Sequence, residues 1–277
     1  PVIGVVPHAD VDLPSEDSEA LRGVRGKGAG RCLVGVVKFP RIANFTDLDP
    51  LFLEDVSIVF VERAEDLDGV DAVVLPGTKN TINDLRWMDE RGISGRIKDL
   101  HGKVPIVGIC GGYQMMGSEL DDSLGLEGGV PGTVMKGLGL FENRTVFGKY
   151  AKRIVNNTAE MLVGDGGEVT GYELHMGMTE VHEKPLFELE RFGRDPEPEG
   201  SVREDEMLFG TYLHGVFDKT PFRRYFLSFV NHDGAKVDTA DIRDYDDIIE
   251  ENIDRLADVF EANMDMDAVL RILGAGQ

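Results

Sequence analysis

The sequence predicts an α/β fold, in which helices cover a doubly wound, mostly parallel sheet and a helical extension follows at the C-terminus. Three observations predict it. Short apolar runs rich in β-branched residues alternate with stretches of helical character over residues 31–232, a pattern typical of parallel strands joined by helical crossovers. One of these runs ends in a glycine-flanked elbow that leads directly into a helical stretch. Over residues 233–277 an acidic tail carries apolar residues at helical spacing, which indicates a helix or a helical pair packed on the outside.

The elements are predicted in the following order. A short apolar strand, Val2 to Val6, precedes a polar segment and a glycine-rich run at 23–30, which we interpret as a linker because it lacks the spacing of a phosphate-binding loop. The main domain then contains strands at Arg31 to Phe39, Val56 to Val61, Asp71 to Leu75, Val104 to Ile109, Glu168 to Leu174 and Leu208 to Leu213, helices near Thr81, after Cys110 and over Pro221 to Val230, a β-ribbon within 132–153 and an exposed loop over 183–200. This order predicts three parts, residues 1–30, 31–232 and 233–277.

The composition excludes some classes of partner. With 51 acidic and 29 basic residues, the 277-residue chain carries a formal charge of -22. Nucleic acids and anionic membranes bind positively charged surfaces, so neither is expected as a partner. The chain has two cysteines, Cys32 and Cys110, no signal peptide and no apolar run of transmembrane length, which predicts a cytoplasmic protein. It begins with Pro1 rather than methionine, which indicates a piece of a longer protein or a processed chain.

The motif that carries most chemical information is the elbow from Gly108 to Gly112, at whose centre lies Cys110. Such an elbow holds a nucleophile in a strained backbone conformation at the tip of a strand, and only small residues fit two positions before and after it. The helix that follows places the sulfur at a helix N-terminus, where the thiolate is favoured over the thiol. The alternative is that Cys110 is a small buried hydrophobic residue in a glycine-rich turn.

A second turn, Pro76 to Thr81, follows another predicted strand. Open parallel sheets place their sites at the carboxyl ends of the strands, so backbone N–H groups of this turn could point into the same crevice as Cys110. A surface turn without a role in the site is the alternative.

Five motifs together resemble one protein family. They are Pro-Arg-Ile-Ala-Asn-Phe-Thr-Asp-Leu-Asp-Pro-Leu at 40–51, Leu-Pro-Gly-Thr-Lys-Asn-Thr at 75–81, Gly-Ile-Cys-Gly-Gly-Tyr-Gln-Met-Met-Gly at 108–117, Gly-Tyr-Glu-Leu-His-Met-Gly at 171–177 and Gly-Thr-Tyr-Leu-His-Gly-Val-Phe at 210–217. On these motifs the chain resembles the cobyric acid synthases over nearly its whole length. The elbow alone would indicate only a glutamine amidotransferase domain, whereas the motifs at 40–51 and 75–81 favour this family over the related a,c-diamide synthases.

The resemblance implies an enzyme of cobalamin biosynthesis that uses glutamine and ATP to convert peripheral carboxylates of a corrinoid into amides. In that family a flavodoxin-like glutaminase domain follows an ATP-dependent synthetase domain. Residues 1–30 of this chain resemble the C-terminal end of that synthetase domain. ATP and Mg²⁺ are therefore expected on the synthetase domain, and the corrinoid reaches this chain only through it. We expect this chain, whose substrate would be glutamine, to release ammonia without carrying out the amidation.

The resemblance also implies roles for individual residues. Cys110 would attack the side-chain carbonyl of glutamine, and His214, at the end of a late strand, would act first as base and then as acid. The backbone N–H groups of Gly77 and Gly111 are our candidates for the oxyanion hole. Gln114, on the first turn after the elbow, either contacts glutamine or caps a core helix.

Two features leave the acid/base assignment open. His175 also follows a predicted strand and is a rival to His214; alternatively it fixes a loop, helps to bind glutamine or meets the synthetase domain. Many triad amidotransferases carry a Glu two residues after the catalytic His, but this chain has Val216 there. The third member is therefore missing or comes from elsewhere, and we predict weak glutaminase activity that depends on the synthetase domain. The other histidines lack metal-ligand spacing, so no metal is expected.

Two further classes of protein remain as alternatives. A cysteine hydrolase of the α/β-hydrolase type would use Cys110 and His214 in the same order, but it requires an acidic residue between them in the chain and leaves the motifs at 40–51 and 75–81 without a role. A non-enzymatic domain would keep the fold only to dock onto a synthetase.

Overall fold

The computed structural model describes residues 2–9, 11, 30–148, 155–190 and 195–274, so most of the segment 1–30, including nearly all of the predicted linker, lies outside the described residues. The described elements are β1 (Cys32–Val37), β2 (Val56–Val61), β3 (Ala72–Leu75), α1 (Thr81–Glu90), α2 (Ile93–Leu100), β4 (Ile106–Ile109), α3 (Gly111–Met116), β5 (Glu119–Asp122), β6 (Thr133–Lys136), β7 (Arg144–Val146), β8 (Val155–Met161), β9 (Glu168–Glu173), β10 (Met178–Glu180), β11 (Phe187–Glu190), β12 (Glu197–Glu199), β13 (Ser201–Arg203), β14 (Leu208–Thr211), β15 (Leu213–His214), α4 (Thr220–Ser228), β16 (Asn231–His232), β17 (Ala235–Lys236), α5 (Tyr245–Asn263) and α6 (Met266–Leu273), with short 3-10 helices at Phe45–Leu53, Ala64–Leu67 and Glu204–Glu206.

The central sheet has six strands in the spatial order β13-β14-β4-β3-β1-β2. Five of them run parallel, and only the edge strand β13 is antiparallel to its neighbour β14. Counted along the chain, the parallel strands take the order 2-1-3-4-5 from the β2 edge, which is the flavodoxin-like order. The predicted fold class is therefore confirmed.

The core lies on both faces of this sheet because successive side chains of a strand point to opposite faces. On one face, buried aliphatic side chains of β1, β3 and β4 belong to the same cluster as Phe222 and Phe226 of α4. On the other face, their alternate residues pack with the apolar side chains of α1 and α2, among them Leu85, Met88 and Ile97. These two apolar layers hold the carboxyl ends of the parallel strands at one common edge.

Two antiparallel elements flank this core. A four-stranded sheet has the order β10-β7-β5-β6, and a five-stranded sheet has the order β12-β11-β8-β9-β15. The chain passes from the central sheet to the five-stranded sheet within one predicted strand, because β14 ends at Thr211 and β15 begins at Leu213. This change of sheet delivers His214 to the edge at which β4 ends.

Three sequence-based predictions differ from the structure. Val2 to Val6 forms no strand: Gly4 makes an isolated bridge to Met264, and Val2 and Val5 are exposed. The stretch 183–200 is not a simple exposed loop, because β11 and β12 pair within it and the alternation of buried Phe187 with exposed charged residues is that of a half-buried strand. The strands within 132–153 do not form a ribbon with each other, since β6 and β7 lie on either side of β5. The sequence-based predictions did not include β5, α2 or β8.

The C-terminal extension is helical, as the sequence predicts, and consists of a pair, α5 followed by α6. Residues 235–236 form a short hairpin strand before it. No helix among the described residues is long and apolar enough to cross a membrane.

Candidate active site

The elbow after β4 holds Cys110 in a strained conformation, with φ 52° and ψ -109°. A Cβ atom on Gly112 would lie 2.0 Å from the carbonyl oxygen of Leu75, and one on Gly108 would lie 2.5 Å from Sδ of Met116. Only glycine fits at these two positions, as the elbow motif requires. The backbone N–H of Cys110 donates to the carbonyl of Thr211 at 2.8 Å, which fixes the elbow against β14.

His214 lies at the same edge and is completely buried. Its Nδ1 lies 2.7 Å from Oδ2 of Asp47, and the backbone N–H of Gly215 donates to the other carboxylate oxygen at 2.8 Å. The ring of Tyr172 stacks on the imidazole, with 5.2 Å between the ring centroids. The imidazole is therefore held at both its edge and its face.

The electrostatics of His214 are dominated by two opposing effects. Burial lowers its pKa, but the negative charge and the hydrogen bond of Asp47 outweigh burial and, together with a hydrogen bond to Cys110, raise the pKa to about 10. The imidazole is thus stabilised in its protonated form, next to the cysteine sulfur.

Asp47 is the functional candidate that sequence reasoning missed. The motif at 40–51 marks the segment, but nothing in its spacing relates it to His214, which lies 167 residues later. The 3-10 helix Phe45–Leu53, which follows β1, buries Asp47 to 2 % exposure against His214. Asn44, with φ 51°, places its side-chain amide 3.0 Å from Nε2 of the same imidazole. Asp47 occupies the position that the third member of a triad requires.

The turn after β3 meets the elbow and the histidine. The N–H of Ala43 donates to the carbonyl of Gly77 at 2.9 Å, which draws the turn toward the segment that carries Asp47. A Cβ atom on Gly77 would lie 2.8 Å from Cε1 of His214, and one on Gly111 would lie 2.6 Å from Cγ2 of Thr78. The structure therefore brings Gly77 and Gly111 to the same site as Cys110, and their role as an oxyanion hole stays a prediction.

Thr78 and Asp84 anchor this turn. The Thr78 hydroxyl donates to the carbonyl of Arg41 at 3.1 Å and to the carboxylate of Asp84. Asp84 is completely buried and pairs with Nη1 of Arg41 at 3.0 Å. These bonds tie the turn to α1 and to the segment after β1.

A pocket of about 50 Å³ opens at Cys110. It is lined by Thr78, Lys79, Thr81, Cys110, Gly111, Gln114, Glu127, Leu174, His175 and Met176. Lys79 and Glu127 give its wall one positive and one negative charge. Glu127 is held in place because its Oε1 accepts from the N–H of Thr81 at 2.6 Å and its loop is bound by Asp122, whose buried carboxylate accepts three successive backbone N–H groups.

Two other predicted residues line this pocket. Gln114 donates from Nε2 to the carbonyl of Met176 at 2.7 Å and accepts on Oε1 from the Thr81 hydroxyl at 2.9 Å, so its amide braces the pocket wall. The His175 ring stacks on Tyr212 with 3.8 Å between the centroids. Of these two rival histidines, His214 has a carboxylate oxygen at 2.7 Å, whereas Oε1 of Glu173 lies 3.8 Å from Nε2 of His175. Contacts of Gln114 and His175 with glutamine stay predictions.

No group of three or more His, Cys, Asp or Glu side chains within the described residues is arranged to hold a metal ion. The other cysteine, Cys32, is buried and its thiol points to the carbonyl of Ala235, away from the pocket.

A flavodoxin-like sheet with a strained cysteine at the end of one strand and a buried histidine–carboxylate pair beside it is the arrangement of a class of α/β enzymes. Comparison with known families narrows this class. The model of the CobB/CobQ-like glutamine amidotransferase domain matches residues 33–222. The chain belongs to this family of enzymes, which excludes the α/β-hydrolase alternative.

Curated relatives agree with this family. Proteins named probable cobyric acid synthase from Methanosarcina mazei and Methanothermobacter thermautotrophicus are each 39 % identical over 99 % of this chain. A cobyric acid synthase from Clostridium acetobutylicum is 35 % identical over the same share. The chain spans about half the length of these relatives, namely 55 %, 56 % and 55 %. The chain is therefore similar to the glutamine amidotransferase portion of cobyric acid synthases.

A solved structure supports the fold. A glutamine amidotransferase superimposes with a TM-score of 0.55 at 17 % identity, over 71 % of this chain and 98 % of that protein.

Proposed function

We propose that this chain is the glutaminase part of a cobyric acid synthase. It hydrolyses glutamine at Cys110, and the ammonia is used by an ATP-dependent synthetase domain to amidate peripheral carboxylates of a corrinoid in cobalamin biosynthesis. ATP, Mg²⁺ and the corrinoid are bound by that domain, and the reaction takes place in the cytoplasm. The observation that carries the proposal is the strained elbow of Cys110, which lines the pocket, with the buried pair of His214 and Asp47 on the other side of the sulfur and outside the pocket lining.

The proton starts on the histidine. Because the pKa of His214 is about 10, the imidazole is protonated at neutral pH and can give a proton to the leaving nitrogen. Cys110 attacks as a thiolate, which is the nucleophilic form of cysteine. Asp47 stabilises the imidazolium and holds its orientation, as the acid of a triad does.

The chemistry then follows in two steps. The sulfur bonds to the carboxamide carbon, and the N–H groups of Gly111 and Gly77 stabilise the oxyanion that forms. The carbon–nitrogen bond breaks as His214 transfers its proton to the nitrogen, which leaves as ammonia, and a glutamyl thioester remains on Cys110. Neutral His214 next takes a proton from water; the resulting hydroxide attacks the thioester, glutamate leaves, and the imidazolium–thiolate pair is restored.

The pocket charges fit the other end of the substrate. Glutamine carries an α-ammonium and an α-carboxylate, and the pocket wall carries Glu127 and Lys79. We assign Glu127 to the ammonium and Lys79 to the carboxylate, since opposite charges at one site orient a zwitterion and disfavour substrates that lack either group.

The test is glutamate release combined with covalent labelling by the glutamine analogue 6-diazo-5-oxo-L-norleucine. The wild-type chain is expected to release glutamate, and the Cys110→Ser variant to lose at least about 10³-fold in rate, as removal of a covalent nucleophile does. The label is expected on Cys110 and not on the buried Cys32, which serves as the internal control. A Cys110→Ser variant that still hydrolyses glutamine, or a label on Cys32 alone, contradicts the proposal.

A further inference from the structure

The C-terminal helices bury very little of their apolar surface. Within α5 and α6, all of whose residues the structure describes, the one buried side chain is Asn252. By contrast, the nine-residue helix α4 buries four side chains, including Phe222 and Phe226. Helices in globular proteins are stabilised mainly by packing an apolar face, because propensity alone leaves short helices marginal in water. The apolar residues of these two helices are therefore not buried by the rest of the described chain, although their helical spacing suits them to pack against a partner.

The uncovered surface is apolar. We define the hairpin patch as the exposed residues Val2, Val5, Ile253, Phe260, Leu270, Ile272 and Leu273. Ile253 and Phe260 are seven residues apart and thus lie on one face of α5. Ile272 and Leu273 of α6 are each 73 % exposed. Apolar surface that a monomer leaves exposed beyond single scattered side chains marks interaction surfaces.

The N-terminal end of the chain lies against the turn between these helices. The N–H of Val5 donates to the carbonyl of Asn263 at 3.3 Å, and the N–H of Asp265 donates to the carbonyl of Ile3 at 2.7 Å. These bonds form an antiparallel contact around the bridge between Gly4 and Met264. A polypeptide that continues upstream from Pro1 would therefore begin next to the hairpin patch.

The relatives supply the length of such a polypeptide. This chain accounts for 55 % of the Methanosarcina mazei protein, so nearly half of that relative lies outside the match. A domain joined to this point would be tethered, and a tethered partner needs little intrinsic affinity because its effective concentration is high.

We propose that the hairpin patch is the surface on which the ATP-dependent synthetase domain of the same polypeptide docks. This inference rests on the proposed function for the identity of that domain. Helix α5 also carries seven Asp and Glu residues and one Arg in its sequence YDDIIEENIDRLADVFEAN. The docking face of the synthetase domain is therefore apolar at its centre and rich in Lys and Arg at its rim.

The test uses the native protein with its upstream residues, compared with the 277-residue chain by amide hydrogen exchange. Amides of residues 253–273 are expected to exchange at least about tenfold more slowly in the longer protein, as covered helices do. The double variant Ile272→Glu, Leu273→Glu removes this protection. It also lowers glutamine-dependent amidation and leaves amidation from added ammonia intact, since the synthetase active site is untouched.

The matched control is Leu162→Glu combined with Val181→Glu, which introduces the same two charges at apolar residues, 47 % and 43 % exposed, outside the hairpin patch. It is expected to leave both the protection and the amidation unchanged. Equal exchange in the two proteins, or protection that survives the double variant, overturns the proposal. So does a dimer of the 277-residue chain that the double variant dissociates, because a second copy would then be the occupant. Failure of the proposed function shows separately, as glutamine-dependent amidation that survives Cys110→Ser.

Discussion

The carboxyl edge of the central sheet and the helical pair α5 and α6, which carries the hairpin patch, have opposite distributions of polar and apolar side chains. At the sheet edge the buried side chains are polar: His214 and Asp84 are completely buried, and Asp47 and Gln114 are nearly so. On the hairpin the exposed side chains are apolar, with Ile272 and Leu273 mostly in solvent. Apolar side chains are normally inside and charged ones outside, so both regions depart from the usual distribution.

The difference shows what each region lacks. Burial of a polar group costs free energy unless the group is hydrogen-bonded, and each of these four side chains has a hydrogen-bond partner within this chain. An exposed apolar surface has the opposite deficiency, because its partner has to come from outside. The buried polar groups of the sheet edge thus find their partners within this chain, whereas the exposed apolar residues of α5 and α6 do not. Each of the following experiments tests one side of this contrast.

The largest effect is expected at the buried pair of the sheet edge. In Asp47→Asn the imidazolium loses its carboxylate, so kcat for glutamate release falls about 10⁴-fold, as it does when the acid of a triad is replaced. The pH profile gives a sharper readout. Activity of the wild type should fall as pH rises through about 10, where His214 loses the proton that the leaving ammonia needs.

Because the charge and hydrogen bond of Asp47 are the largest effects that raise the pKa of His214, the alkaline limb of Asp47→Asn should move to lower pH. Rates at several pH values, measured as glutamate formed, check this shift. The control is Asp89→Asn, the same change at an exposed residue of α1, which should leave the profile in place. An unchanged alkaline limb in Asp47→Asn would mean that another group orients the histidine.

Features that depend on residues close together in the sequence could be predicted, and features that depend on distant residues could not. The Cys110 elbow is a local pattern of glycines around a nucleophile, and β3 and β4 are continuous apolar runs, so both were predictable. Asp47 was not, because its partner is 167 residues away and only the strand order of the folded sheet brings them together. Glu127 was missed for the same reason: its loop reads as a glycine-rich connection, and the buried Asp122 that organises it shows no sequence signal.

For the C-terminal helices, the secondary structure could be predicted from sequence but the burial of their side chains could not. Their helical spacing predicts α5 correctly and leaves open whether a second helix follows, which the structure answers with α6; amphipathic spacing implies a covered face without saying what covers it. Likewise, the charge-rich stretch 183–200 reads as a loop until the five-stranded sheet supplies a neighbour for Phe187 and Leu189, whose side chains are then buried. Local periodicity thus predicts elements, and long-range pairing decides which faces become buried.

A smaller effect is expected at the pocket wall. In Glu127→Gln the amide oxygen can still accept from the N–H of Thr81, but the negative charge that we assign to the α-ammonium of glutamine is lost. KM for glutamine should rise about 10–100-fold, which corresponds to one desolvated charge pair, with a smaller change in kcat. Glutaramate, which lacks the α-amino group, should be hydrolysed equally by both proteins.

The control for this variant is Glu90→Gln, at the exposed end of α1, which should behave as the wild type with both substrates. Steady-state rates with each substrate separate the outcomes. Equal losses with glutamine and glutaramate would show that Glu127 supports the pocket structure rather than recognising the ammonium.

The smallest effect, a change in the free energy of unfolding, is expected at the hairpin patch. A small change there is informative because it shows that the patch is not packed within this chain. Ile272→Glu replaces a side chain that is 73 % exposed, so in the 277-residue chain the free energy of unfolding should change by no more than about 0.5 kcal/mol, as for surface substitutions in general. Urea denaturation of the two proteins measures the difference. A loss of about 2 kcal/mol or more would mean that Ile272 already packs within this chain, and the contrast between a self-sufficient sheet edge and an uncovered hairpin would fail.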